Sequence, residues 1–308
     1  MEASFFSTGC THLKQSHSAE FVLERGGLCK WNQVHLFPSK RALTPLVVQF
    51  GNLKQNHSQV RNCQLKEVPI IEAGCMEEIY DTLAERVVPV AAAESNPHFK
   101  YIVGLCGPPG AGKSTLASEV ARRVNHIWTQ RSSVVDSQVQ PLAVAIVLPM
   151  DGFHLYRHQL DGMEDPKEAH ARRGAPWTFD PKRLLRCLGN LRDKGSVYAP
   201  SFDHGVGDPV EDDIFVSLEH KVVIVEGNYL LLDDEVWRDI SSIFDDKWFI
   251  DVDLEKAMER VRRRHISTGK PPDVAKWRID YNDRPNAELI MKSKNKADLI
   301  IKSVDFLR

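Results

Sequence analysis

Tyr101-Ile-Val-Gly-Leu-Cys106, followed at once by Gly107-Pro108-Pro109-Gly110-Ala111-Gly112-Lys113-Ser114, decides the fold of this chain. The first six residues are a short apolar run of the kind that fills a parallel strand buried on both faces. The next eight match G-x-x-x-x-G-K-[ST] at every position. Leu116, Val120 and Val124 then recur at intervals of four, which lines one face of a helix. Strand, glycine-rich loop and helix in that order form a phosphate cradle. Gly107, Gly110 and Gly112 let backbone N–H groups approach phosphate oxygens. Lys113 supplies a point charge for the β- and γ-phosphates, and the Ser114 hydroxyl suits Mg²⁺. Thr115 is placed to donate to the α-phosphate, and the helix N-terminus adds its positive end. The predicted cofactors are therefore ATP and Mg²⁺, held by residues 107–115.

Further apolar runs extend the pattern outward. Ala143-Val-Ala-Ile-Val-Leu148 leads into Pro149-Met-Asp151-Gly-Phe-His-Leu155, and Lys221-Val-Val-Ile-Val225 leads into Glu226-Gly-Asn-Tyr229. Carboxylates that end parallel strands lie at the edge of the sheet where ligands bind. Asp151 is thus a candidate base for an attacking hydroxyl, and Glu226 a candidate acid beside Mg²⁺. Lys247-Trp-Phe-Ile-Asp-Val252 and Ala297-Asp-Leu-Ile-Ile-Lys302 read as two more strands. Helices are expected over 73–90, from Asp180-Pro181 with Leu184, Leu185, Leu188 and Leu191 inward, and over 254–265. The fold class is α/β: a P-loop NTPase with a mostly parallel sheet flanked by helices, and a lid.

Asn295-Lys-Ala-Asp298 matches the N-K-x-D motif that reads guanine, but it precedes its apolar run instead of following one. Glu226-Gly227 also differs from the D-x-x-G of GTPases. ATP is the expected nucleotide. His154 and His158 stand four apart, yet the glutamate of a zinc helix is missing, which removes the zinc reading. His158 could instead help read an acceptor.

Taken in order, the phosphate loop, Asp151-Gly-Phe, Phe179-Asp180 and Glu226-Gly resemble the uridine kinase, phosphoribulokinase and pantothenate kinase superfamily over residues 98–302. Met150-Asp-Gly-Phe-His154 is similar to the pantothenate kinase and uridine kinase-like branches. The resemblance implies transfer of a γ-phosphoryl group to an acceptor hydroxyl on a nucleoside, pantothenate or sugar-like molecule. It implies Asp151 as catalytic base and Lys113 as charge stabiliser. It puts the acceptor pocket in the polar stretch 156–213, where Arg173, Tyr198, Asp203 and His204 are candidates. It also puts a lid at the basic helix, with Arg260, Arg263 and Arg264 as candidates to close over the phosphoryl group, and Arg263 and Arg264 as the assigned pair. Asn282-Asp-Arg-Pro-Asn286 resembles the family's Asn-Asp segment. A regulatory NTPase that signals to a partner, with no small-molecule acceptor, is the competing class.

The bulk numbers constrain the rest. The 308 residues carry a formal charge of −2, without the basic excess expected of a nucleic-acid-coating protein. No apolar run reaches the length of a membrane span. Neither nucleic acid nor membrane is expected as a partner, and a homodimer stays open. The six cysteines are scattered with no C-x-x-C pair, which favours free thiols in a reducing compartment. Cys106 adjoins the phosphate loop, so it reads as an inert strand-end thiol or a redox-sensitive one. Residues 1–66 set three acidic residues (Glu2, Glu20, Glu24) against eight Lys or Arg. That balance, with few arginines, predicts a disordered organelle leader, plastid in preference to mitochondrial, ahead of a kinase domain over 67–308. The other reading is a cytoplasmic extension.

Overall fold

The computed structural model describes residues 67–93, 95–132 and 143–304, within a compact unit running from Cys63 to Arg308. The predicted leader over 1–66 lies outside the described residues. In chain order the elements are β1 (Ile70–Ile71), α1 (Met76–Ala93), β2 (Tyr101–Cys106), α2 (Lys113–Ser132) and β3 (Ala145–Pro149). Then follow α3 (Arg157–Asp161), α4 (Pro166–Ala171), α5 (Pro181–Lys194), β4 (Val197–Asp203), β5 (Asp208–Val216) and β6 (Val222–Gly227). The chain closes with α6 (Glu235–Ile243), β7 (Asp246–Asp251), α7 (Leu254–Ser267), α8 (Pro272–Arg278), α9 (Arg284–Met291) and β8 (Leu299–Lys302).

Six strands form one parallel sheet in the order β1-β8-β7-β2-β6-β3. The strand before the phosphate loop is therefore central, flanked by β6 and β7. Strand period explains how both faces are filled. Val103 and Leu105 of β2 and Val222 and Ile224 of β6 join α1, α2 and α7 in one core. Ile102 and Cys106 of β2 and Val223 and Val225 of β6 join α5 and α6 in the other. Glu226 has the parity of Val222 and Ile224, so it points to the face covered by α2. That single step of register carries the carboxylate to the phosphate loop.

Helices α3, α4, α6, α8 and α9 were not read from the sequence, and neither were two parts of the β structure. One is β1, a two-residue strand that extends the sheet beyond β8, so the last strand of the chain is not its edge. The other is the antiparallel β4–β5 hairpin, which lies in the stretch read as a polar acceptor region. A register shift between Ala199 and Ser201 bends it. The hairpin packs on the turn that carries Asp151, and Gly152 is the contact: a Cβ there would lie 2.1 Å from the Pro200 carbonyl oxygen.

Helix α5 begins as its sequence predicts, with Asp180 accepting a hydrogen bond from the Arg183 N–H at 2.9 Å and Pro181 at the first helical position. Leu184, Leu188 and Leu191 are buried, and Cys187 joins them where Leu185 is only partly covered. Among the described residues no helix is long and apolar enough to cross a membrane. Asp180→Ala should cost about 1 kcal/mol of stability by removing this cap, measured as a shift of the urea midpoint at unchanged slope.

Candidate active site: a phosphate cradle facing two carboxylates

The carboxyl ends of β2, β3 and β6 open into a cavity of about 340 Å³. Its lining includes Pro109, Gly110, Gly112, Lys113, Ser114 and Thr115 of the loop, and Asp151 and Glu226 of the neighbouring strand ends. Arg260 and Arg264 of α7 border the same space. Gly110 and Gly112 have φ of 82° and 89°, a region that side chains disfavour. A Cβ on Gly112 would meet nothing within 4 Å, so the backbone there borders open space. The concave loop, its lysine and the start of α2 together fit the phosphates of a nucleotide.

Electrostatics sharpen the fit. The Ser114 hydroxyl donates to Glu226 Oε1 at 2.8 Å, which turns its lone pairs toward the cavity. Ser114 and Glu226 are therefore the pair able to hold Mg²⁺, the hydroxyl and carboxylate oxygens being hard ligands. Glu226 is 7% exposed, and burial raises its pKa above the ordinary carboxylate range while Lys113 pulls it down and Asp151 adds to the rise. Loss of water lowers the Lys113 pKa, opposed by Glu226 and Asp151, and the charge of Arg264 lowers it further. The Lys113 ammonium also donates to the Pro108 carbonyl at 3.2 Å, which holds it along the loop.

Asp151 sits on a 3-10 turn, Met150–Phe153, that continues β3. Met150, Gly152 and Phe153 are buried, so the turn is fixed and the carboxylate is left at the cavity wall. The next residue locks it: His154 N–H and ring Nδ1 both meet the Asp151 carbonyl, at 3.1 and 2.8 Å. A carbonyl only accepts, so Nδ1 carries the proton. Burial lowers the His154 pKa and keeps the ring neutral. The ring lies against Phe179 and Phe202, at 3.9 and 4.7 Å between centroids.

The sequence-predicted lid residues separate. Arg264 lines the cavity, and Arg260 does so while donating to the Gly110 carbonyl at 3.3 Å and to Ser303 at 3.2 Å. Arg263 is turned away to pair with Glu259 at 2.9 Å, because it sits on the exposed side of α7 while Ala257 and Val261 face inward. The four predicted acceptor contacts divide too: Arg173, Asp203 and His204 meet at the turn of the hairpin, and Tyr198 does not join them. Arg173 is engaged by the Leu155 carbonyl, the Gly207 carbonyl and Asp208, which ties it to the turn end of the hairpin. Asp203 closes the hairpin turn by accepting from Gly205 and Val206 N–H groups. Tyr198 lies outside the site, since it pairs across the hairpin with Phe215 on the solvent face, their rings stacked at 4.5 Å. His204 is exposed at the hairpin tip, yet its charge reaches Glu226 and His154. His158 is exposed and stacks on Tyr156.

Asn228, which lines the cavity directly after Glu226 and Gly227, received no role from the sequence. Its adjacency to a strand-end acid was the available signal. The guanine-type motif is explained by position. Asp298 accepts from the Lys247 N–H at 3.1 Å, at the start of β7 and so at the opposite edge of the sheet from the phosphate loop. Asn282 and Asn286 are buried behind the site, joined at 3.0 Å, with Asn282 donating to the Arg173 carbonyl.

The model of the phosphoribulokinase / uridine kinase family matches residues 102–306. The chain belongs to this family. A candidate uridine kinase of Schizosaccharomyces pombe is 36% identical over 232 residues, covering 73% of this chain and 91% of that protein. An ATP-dependent kinase-like protein of Aspergillus versicolor is 43% identical over 152 residues, covering 47% of this chain and 88% of its own length. The crystal structure of a candidate fructose transport system kinase from Silicibacter is 32% identical, with a TM-score of 0.61 over 72% of this chain and 98% of that one. The Silicibacter structure shares this chain's fold over that span.

Cys106 is fully buried beneath the loop, its Sγ directed at the Asn228 carbonyl at 3.1 Å, and burial pushes its pKa up to about 11. That favours the inert reading, since the thiolate is the reactive form. Iodoacetamide at pH 7.5 should label the part-exposed Cys75 while leaving Cys106 unmodified in the native fold, as read by peptide mass mapping.

Proposed function

We propose that the protein is an ATP-dependent small-molecule kinase that transfers the γ-phosphoryl group to an acceptor hydroxyl. The observation that carries this reading is the convergence of Asp151 with Lys113, Ser114 and Glu226 on one cavity. A regulatory NTPase needs the last three; a carboxylate fixed across from the cradle serves an incoming hydroxyl. In this reading Asp151 accepts a hydrogen bond from that hydroxyl, aligns its oxygen with the phosphorus and takes its proton as the bond forms. Lys113, Arg264 and the loop amides stabilise charge on the transferring group and the leaving diphosphate. Ser114 and Glu226 would hold Mg²⁺, which supplies positive charge on the β- and γ-phosphate oxygens when bound. His204, at the tip of the hairpin, is the assigned residue best placed to meet the acceptor, and Arg173 positions the hairpin that carries it.

We take a nucleoside, pantothenate or a sugar-like alcohol as the acceptor class, a reading that the uridine kinase and fructose kinase descriptions of similar proteins support in part. A panel of such alcohols should reveal one that stimulates ADP release from ATP. Asp151→Asn should lower that rate by about 10²–10⁴-fold with folding retained. Arg264→Ala should lower it by about 10²–10³-fold, whereas Arg263→Ala should stay within about twofold. ADP release that is independent of every acceptor, or equal in Asp151→Asn, would replace this reading with the regulatory NTPase.

We further propose that residues 1–66 act as a plastid leader, on the strength of their basic, acid-poor composition. Amino-terminal sequencing of the native protein should then begin near residue 67; an intact Met1 end would reject the leader.

A further inference from the structure

A second cavity, of about 620 Å³, lies beyond the cluster of Phe179, Tyr229 and Trp237, whose ring centroids are 5.6 to 6.5 Å apart. It shares no lining residue with the phosphate cavity. Pro176, Trp177, Phe179, Trp237, Pro285 and Leu289 give it flat apolar walls. Trp237 is 4% exposed and fixes one wall, while Trp177 leaves 47% of its surface open. An indole left open on a rigid apolar cavity is the usual platform for an aromatic or branched ligand.

The charges give that ligand a sign. Arg172 lines the cavity, and among the described residues no carboxylate pairs with it. Its Nε–H is buried with no acceptor, and its guanidinium rests over the ring of Tyr281 at 5.7 Å. Arg173, one position along, shares a buried Nε–H without an acceptor, but its two terminal nitrogens are held by the Leu155 and Gly207 carbonyls and by Asp208. An arginine half withdrawn from water without an acceptor is costly unless an anion completes it. Asp234 and Glu235 also border the second cavity, and they disfavour a ligand with more than one negative charge.

We propose that this cavity is a second small-molecule site, selective for an organic monoanion, a carboxylate or sulfonate, on an aromatic or branched apolar body. The anion pairs with Arg172, and the body packs between Trp177 and Trp237. Tyr229 stands between this cavity and the chain's Arg172–Gly174 segment, its ring beside Trp237 and its hydroxyl donating to the Gly174 carbonyl.

Two naphthalene probes separate charge from apolar fit: anionic 8-anilinonaphthalene-1-sulfonate and neutral N-phenyl-1-naphthylamine, titrated into the full chain by fluorescence. The sulfonate probe should bind one site saturably and stay bound when ADP and Mg²⁺ fill the phosphate cavity. Arg172→Gln should weaken the sulfonate by about tenfold and the neutral probe by less than about twofold. Trp177→Ala, a change at an exposed ring, should weaken both. Displacement by ADP, equal weakening of both probes in Arg172→Gln, or unchanged binding in Trp177→Ala would each overturn the site. If Arg172→Gln fails to fold, Arg172→Lys replaces it, and must keep a preference for the sulfonate over the neutral probe.

Discussion

Opposite charges held at the dry end of an apolar sheet are what the rest of this structure serves. Lys113 and Glu226 both lose water, each is pushed toward its neutral form, and each is restored by the other. Such groups are tolerable only when partners are fixed in place. The parallel pairing of β2 with β6 fixes them, setting Leu105 opposite Glu226 and Cys106 opposite Gly227. Ser114, the second residue of α2, then reaches the same carboxylate without any long side chain. A one-residue slip in that pairing would turn Glu226 to the other face and leave the lysine without its main counter-charge.

The third strand adds chemistry to this binding device. β3 pairs with β6, so Asp151 follows Glu226 around the end of the sheet on a tight turn. The turn is held from outside by the hairpin through Gly152 and Pro200, and from within by His154 on the Asp151 carbonyl. The hairpin is in turn secured by Arg173, whose own carbonyl is held by Asn282. Arg173 and Asp203, read as candidate acceptor contacts, thus also frame the site. Helix α7 completes the cavity from above, and its 3.6-residue period selects Arg260 and Arg264 over Arg263.

The second cavity follows from the same architecture. Burying the aromatic cluster against α5 and α6 leaves a wall with two faces, one toward the turn that carries Asp151 and one toward Trp177 and α9. Arg172 stands beside this wall with its charge reaching the Tyr229 hydroxyl.

The sequence alone determined the local features: the phosphate loop between an apolar strand and a helix, the cap at Asp180, the amphipathic α1, and the strand ends that carry Asp151 and Glu226. Each depends on neighbours within a few residues, where steric and hydrogen-bonding rules act directly. Tertiary structure decided everything set by contact across long separations. It placed β1 beside β8, folded 197–216 into a hairpin, turned Tyr198 to solvent and Arg263 to Glu259, and brought Asn228 into the cavity. A polar side chain at a given position serves equally as a ligand contact, a cap or a strut. Its role is fixed by which distant backbone or charge arrives beside it, and spacing along the chain carries no record of that arrival.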